Sequence, residues 1–72
     1  MAYKLAAFEA EIVEDGKNRR AIKVRQAGGR PFWLPKSQIR RRERVPGAGN
    51  LYRLVIPAWL AEQKQIEGCR VE

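Results

Sequence analysis

The chain has 72 residues, enough for one domain (1–72) close to the lower limit for folding on a single core without disulfide or metal staples. It holds no His and no Thr, and only one Ser (Ser37), one Asp (Asp15) and one cysteine (Cys69). A Ser or Cys nucleophile would therefore lack an imidazole base, and Cys69 alone builds no zinc or iron–sulfur site, so the composition argues against an enzyme and calls for no metal or cofactor.

The formal net charge is +7, and it is concentrated. Residues 16–53 carry twelve Lys and Arg against Glu43 alone, whereas residues 1–15 set Lys4 against four acids and residues 54–72 set Lys64 and Arg70 against three. A hydrophobic content of 44% is too high for a disordered tail, and no apolar stretch has the length of a membrane-spanning helix. The opening MAYKLAAFEAE lacks the apolar region and cleavage site of a leader, so it reads as mature sequence. A single cysteine fits a reducing cytoplasm.

Phe8-Glu9-Ala10-Glu11-Ile12 alternates with period two and predicts a half-buried strand. Glu14 to Asn18 is a turn, with Asp15-Gly16 as the hairpin signal. Ala21 to Arg25 is the next strand, sending Ile22 and Val24 one way and Lys23 and Arg25 the other. Ala27 to Arg30 is a second turn, and Pro31 to Leu34 a third short strand, completing an antiparallel meander. Pro35 ends ladder pairing because it has no N–H to donate, and Lys36-Ser37-Gln38 suits a tight or 3₁₀ turn.

From Ile39 to Val45 the chain is apolar only at its ends. Arg40, Arg42 and Arg44 line one face, while Arg41 and Glu43 share the other with Ile39 and Val45. This basic strand is expected at a sheet edge, where charge deters unwanted pairing. Residues 46–50 are a Gly-rich loop and Leu51 to Ile56 a strand. Pro57 then opens a helix over about 57–67 with Gly68 as its left-handed cap, and Trp59, Leu60, Gln63 and Ile66 fall on the face that docks on the sheet. Cys69 to Glu72 pair weakly or fray. The expected fold is mainly β: a small five-stranded antiparallel barrel, SH3-like or OB-like, with a C-terminal α-helix. Its core is expected to hold Phe8, Ile12, Ile22, Val24, Leu34, Leu54 and Ile56.

Two basic clusters stand out. Arg40, Arg41, Arg42 and Arg44 form one; Lys17, Arg19, Arg20, Lys23, Arg25 and Arg30 form the other, nearby in the meander. Segregated charge of this kind is the footprint expected for a polyanion, although a charge run by itself is more often a solvated edge strand. Phe32 and Trp33 are adjacent in a strand, so one faces the core and the other faces away. An outward ring beside Lys36 would offer a platform for base stacking; Tyr52 is a weaker candidate and Tyr3 weaker still. Gly28-Gly29 and Gly47-Ala48-Gly49 precede no helix and lack the Lys-Ser/Thr ending of a phosphate loop, so they read as turns.

Three segments carry a resemblance: Ala21-Ile22-Lys23-Val24, Phe32-Trp33-Leu34-Pro35-Lys36-Ser37-Gln38-Ile39 and Ile56-Pro57-Ala58-Trp59-Leu60-Ala61. Together they resemble small uncharacterised proteins of bacteriophages and mobile elements that share a WLPKSQ segment followed by PxWLA. The resemblance spans most of the chain and implies a genomic setting, with no assigned activity or functional residues. The Arg-rich 39–45 stretch and the 46–50 loop lie outside it.

The sequence thus points to a non-enzymatic DNA- or RNA-binding protein with little or no sequence specificity. The expected surface is drawn from residues 17–30 and 36–53: Arg19, Arg20, Lys23, Arg25, Arg30, Trp33, Lys36, Arg40, Arg41, Arg42, Arg44, Tyr52 and Arg53. The alternative is a phage-encoded inhibitor or adaptor, for example of anti-defence or anti-CRISPR type, docking the same basic surface on an acidic or nucleic-acid-binding protein. Self-association into a homodimer through the 39–45 or 51–56 strand is a third reading.

Overall fold

The computed structural model describes residues 4–71. Within them the chain forms β1 (Leu5–Glu14), β2 (Ala21–Arg25), β3 (Phe32–Pro35), a single 3₁₀ turn (Lys36–Gln38), β4 (Arg41–Arg44), β5 (Leu51–Pro57), α1 (Ala58–Gln63) and β6 (Arg70–Val71). All strand pairs are antiparallel, in the order β3-β2-β1-β5-β4, with β6 also against β1. The element types follow the sequence pattern. The ladder does not close, however, and β3 and β4 are its two ends.

Strand β1 is twice the expected length because the alternation Ala6, Phe8, Ala10 continues the apolar face backwards from Ile12. It pairs with β5 along Leu5 to Glu11 and with β2 from Glu11 onward. Small residues of β1 meet large ones of β5 on either side of the Phe8–Leu54 pair: Ala6 lies opposite Ile56 and Ala10 opposite Tyr52. A small side chain opposite a large one lets neighbouring rows interdigitate at native density.

The core gathers Phe8, Ile22, Val24, Leu34, Leu54 and Ile56 as expected, and adds Ala6, Ala10, Leu60 and Ala61; Ile12 packs at its margin. Ile22, Val24, Leu34, Leu54 and Ile56 are completely shielded from solvent. Each contributes about 1.5–3 kcal/mol relative to an exposed side chain. Leu34 and Leu54 lie on strands near opposite ends of the sheet path yet share one cluster, so the sheet is strongly curled.

The helix departs from expectation. It ends at Gln63, four residues early, and the left-handed cap is Gln65 (φ 54°) rather than Gly68. The Gln65 N–H donates to Glu62 O (3.1 Å) and the Ile66 N–H to Ala61 O (3.0 Å), the two bonds of a Schellman cap. Ile66 packs on the core beside it, supplying the apolar contact of that motif. Leu60 and Ala61 are buried as the docking face, but Trp59 is 52% exposed and does not pack on the sheet. Ala58, Leu60 and Ala61 face the core, and Trp59, lying between them in sequence, points away from it. The segment after the cap is anchored separately: the Gln26 amide donates to Glu67 O (2.7 Å) and accepts from the Glu67 N–H (3.2 Å).

Candidate nucleic-acid interface

The connection from β1 to β2 is a loop of residues 15–20, held by the Arg19 N–H donating to Gly16 O. Against it packs the corner between β3 and β4. The Lys36 N–H donates to Arg20 O (2.8 Å), and Lys36 Nζ donates to Gly16 O (2.6 Å). Asp15 completes the junction, with one carboxylate oxygen 3.1 Å from Lys36 Nζ and the other 2.8 Å from Arg42 Nη2. Hydrogen bonds from Arg42, then from Lys36, hold the Asp15 carboxyl below its ordinary range. Sequence reasoning treats Asp15 only as a turn former. The available signal is that it is the sole Asp, sitting at the border of the cationic span.

The Arg strand is divided by its register. Arg42 lies opposite Leu54 and Arg44 opposite Tyr52, so both share the face that carries the core. Arg41 lies opposite Val55 and Glu43 opposite Arg53, on the other face. The alternation is as expected and both side chains stay exposed, but Arg42 and Arg44 lie on the face that carries the core, and each is engaged there. Arg42 caps the Tyr52 ring at 5.1 Å while bound to Asp15, and Arg44 Nε donates to Gly49 O (3.2 Å). Arg40 precedes the strand and donates its N–H to Val55 O (2.7 Å). Arg41 pairs with Glu43 at 3.6 Å. Ile39, expected to share a face with Arg41, instead packs on the core, because β4 begins only at Arg41 and the chain turns before it.

Trp33 is the outward member of the aromatic pair. Phe32 lies opposite Val24 and packs on the core, whereas Trp33 lies opposite Lys23 and is 37% exposed. Arg19 and Lys23 each stand 5.7 Å from its ring centroid. A β-bulge at Ile12–Glu14 shapes this face: Ile12 pairs with Val24, but the next partner of Lys23 is Glu14, with Val13 as the extra residue. The bulge thereby sets Glu14, Lys23 and Trp33 in one cross-strand row. Glu14 reaches Arg19 at 3.6 Å, and one register step away Arg25 pairs with Glu11 at 2.9 Å.

The predicted residues therefore fall into three groups. Arg19, Lys23, Arg25 and Trp33 occupy the outer face of the β2–β3 hairpin and its entry loop. Arg20, Lys36, Arg42 and Tyr52 meet at the corner, which Arg20 O and Lys36 N join to the first group. Arg41 and Arg53 stand on the outer face of β4–β5, and Arg30 lies in the turn at the far end of the hairpin. Tyr3 lies outside the described residues. Among the described residues Lys17, Arg20, Lys23 and Arg30 enter no ion pair, and no set of three metal-ligating side chains converges. No family model, curated protein or solved structure matches the chain.

Proposed function

We propose that this protein is a non-enzymatic nucleic-acid-binding module that works through phosphate neutralisation by the β1–β2 loop and the β2–β3 hairpin. The observation that carries this reading is the distribution of ion pairs. Asp15, Glu14 and Glu11 engage Lys36, Arg42, Arg19 and Arg25, yet Lys17, Arg20, Lys23 and Arg30 are left without an acidic partner among the described residues. Unbalanced cations on one hairpin and its entry loop, exposed at Lys17, Arg20 and Arg30 and half-buried at Lys23, attract a polyanion and release its counterions on binding. Contact with about four phosphates gives a log–log salt slope near −3.5 on duplex DNA and near −3 on single strands. Binding of labelled oligonucleotides measured across salt tests this. A flat salt dependence, or no binding at about 50 mM salt, overturns it.

In the same reading the curled sheet acts as a small barrel of SH3-like or OB-like kind, with its seam between β3 and β4. Lys36, Asp15 and Arg42 lace that seam with ion pairs where backbone pairing is missing. The setting is the reducing cytoplasm of a host carrying a phage or mobile element. Catalysis by Cys69 is disfavoured, since burial pushes its thiol up, away from the reactive thiolate.

A second reading rests on Trp59. A Trp with half its surface in water is a typical anchor for a protein partner, and it belongs to the helix rather than the basic hairpin. An adaptor or inhibitor of this kind would retain one stoichiometric protein in a pull-down after nuclease treatment and lose it on Trp59→Ala. A nucleic-acid binder would lose its partners to the nuclease.

A further inference from the structure

Resting on that nucleic-acid reading, we propose that the ligand is single-stranded, and that Trp33 is the platform on which one of its bases stacks. The ring lies on the outer face of β3, partly open to solvent, with Lys23 opposite it on β2 and Arg19 over it from the loop. In a duplex the base faces are buried in the stack, and the surface offers phosphates and base edges alone, so an aromatic ring on a sheet face has no base face there to stack on. An unpaired base presents its π-face, and every base has one, so such a platform selects single strands without selecting sequence.

The two cations at the ring are free to make the exchange that binding requires. Lys23 enters no ion pair among the described residues, and Arg19 is held only by a 3.6 Å contact to Glu14. Each can leave the ring for a phosphate flanking the stacked base, so stacking and neutralisation occur at adjoining positions along the strand. Tyr52 is different. Its ring carries Arg42, which Asp15 holds at 2.8 Å, so a base could reach it only by breaking the ion pair that laces the seam. The bulge at Ile12–Glu14 belongs to the same device: it puts Glu14 rather than Val13 beside Lys23, and Glu14 positions Arg19 over Trp33.

The test compares oligothymidylate and oligouridylate of about a dozen nucleotides with a duplex of equal length, by anisotropy of the labelled strand. Trp33→Leu keeps apolar bulk and removes the π-face; Trp33→Phe keeps a smaller one. The proposal expects tighter binding of both single strands than of duplex. It expects Trp33→Leu to weaken single-strand binding roughly 5- to 150-fold with little change on duplex, and Trp33→Phe to recover part of the loss. In a Trp59→Phe background the remaining Trp33 fluorescence should be quenched by single strands and not by duplex. Equal binding of single strands and duplex, with no effect of Trp33→Leu and no quenching, overturns this inference and leaves the charge-based function standing. Absence of binding to all three ligands at low salt overturns both.

Discussion

Asp15 and Arg42, 27 residues apart in sequence, meet at 2.8 Å between carboxylate and guanidinium, and Lys36 takes the other carboxylate oxygen. This one acid joins the loop after β1 to the 3₁₀ turn that follows β3 and to β4, so Arg42 is committed to holding the fold.

Asp15→Asn should therefore lower the melting temperature at neutral pH by about 4–8 °C, corresponding to roughly 1 kcal/mol for a partly exposed ion-pair network in a chain of this size. The sign with pH is fixed by the direction of the shift. The folded Asp15 carboxyl sits below its ordinary value of 3.8, so its stabilisation is full above the unfolded pKa and is lost as pH falls through the folded one. Thermal melts between neutral pH and about pH 2 should show wild type losing more stability than Asp15→Asn below about pH 4. Parallel curves would contradict this.

Charge reversal should separate two kinds of cation. Lys17→Glu and Arg20→Glu, on exposed side chains without ion pairs among the described residues, should leave the melting temperature nearly unchanged, weaken oligonucleotide binding and reduce the magnitude of the salt slope by about 1 each. Arg42→Glu would face Asp15 with a like charge and should destabilise the fold before any loss of affinity is considered.

At the helix end, Gln65 holds φ at 54°, a conformation that glycine adopts without a Cβ penalty. Gln65→Gly should raise stability by about 0.5–1 kcal/mol, measured by urea denaturation, with no change in binding. Gly68→Ala tests the neighbouring left-handed position (φ 71°) and should be destabilising.

In the core, Leu54 is fully buried opposite Phe8 on one side and Arg42 on the other. Leu54→Ala should cost about 2–5 kcal/mol. A domain of this length holds about 4–11 kcal/mol in total, so circular dichroism should find a substantially unfolded or sharply less stable protein.

The strands of this protein were legible because their information is local. Ile22-Lys23-Val24 and Phe32-Trp33-Leu34 alternate cleanly, and the pleat alone sends Lys23 and Trp33 to one side and Ile22 and Leu34 to the other. The excess of cations between residues 16 and 53 is likewise a property of composition. Local pattern was weaker at the helix: three-to-four spacing groups Trp59 with Leu60, but the docked face is made by Ala58, Leu60 and Ala61, and the short helix turns Trp59 to solvent.

What the chain determined unaided is the alphabet of its surface: β-strands with one apolar side, a basic middle and one aromatic turned away from the core. Which cations remain available was decided only by tertiary structure. The register of β4 against β5 places Arg42 and Arg44 on the core's side, a one-residue bulge in β1 chooses Glu14 as the neighbour of Lys23, and Arg42 and Lys36 take up Asp15. Those outcomes depend on pairings between distant segments, where a slip of one residue reverses every side chain, and no short-range pattern encodes them.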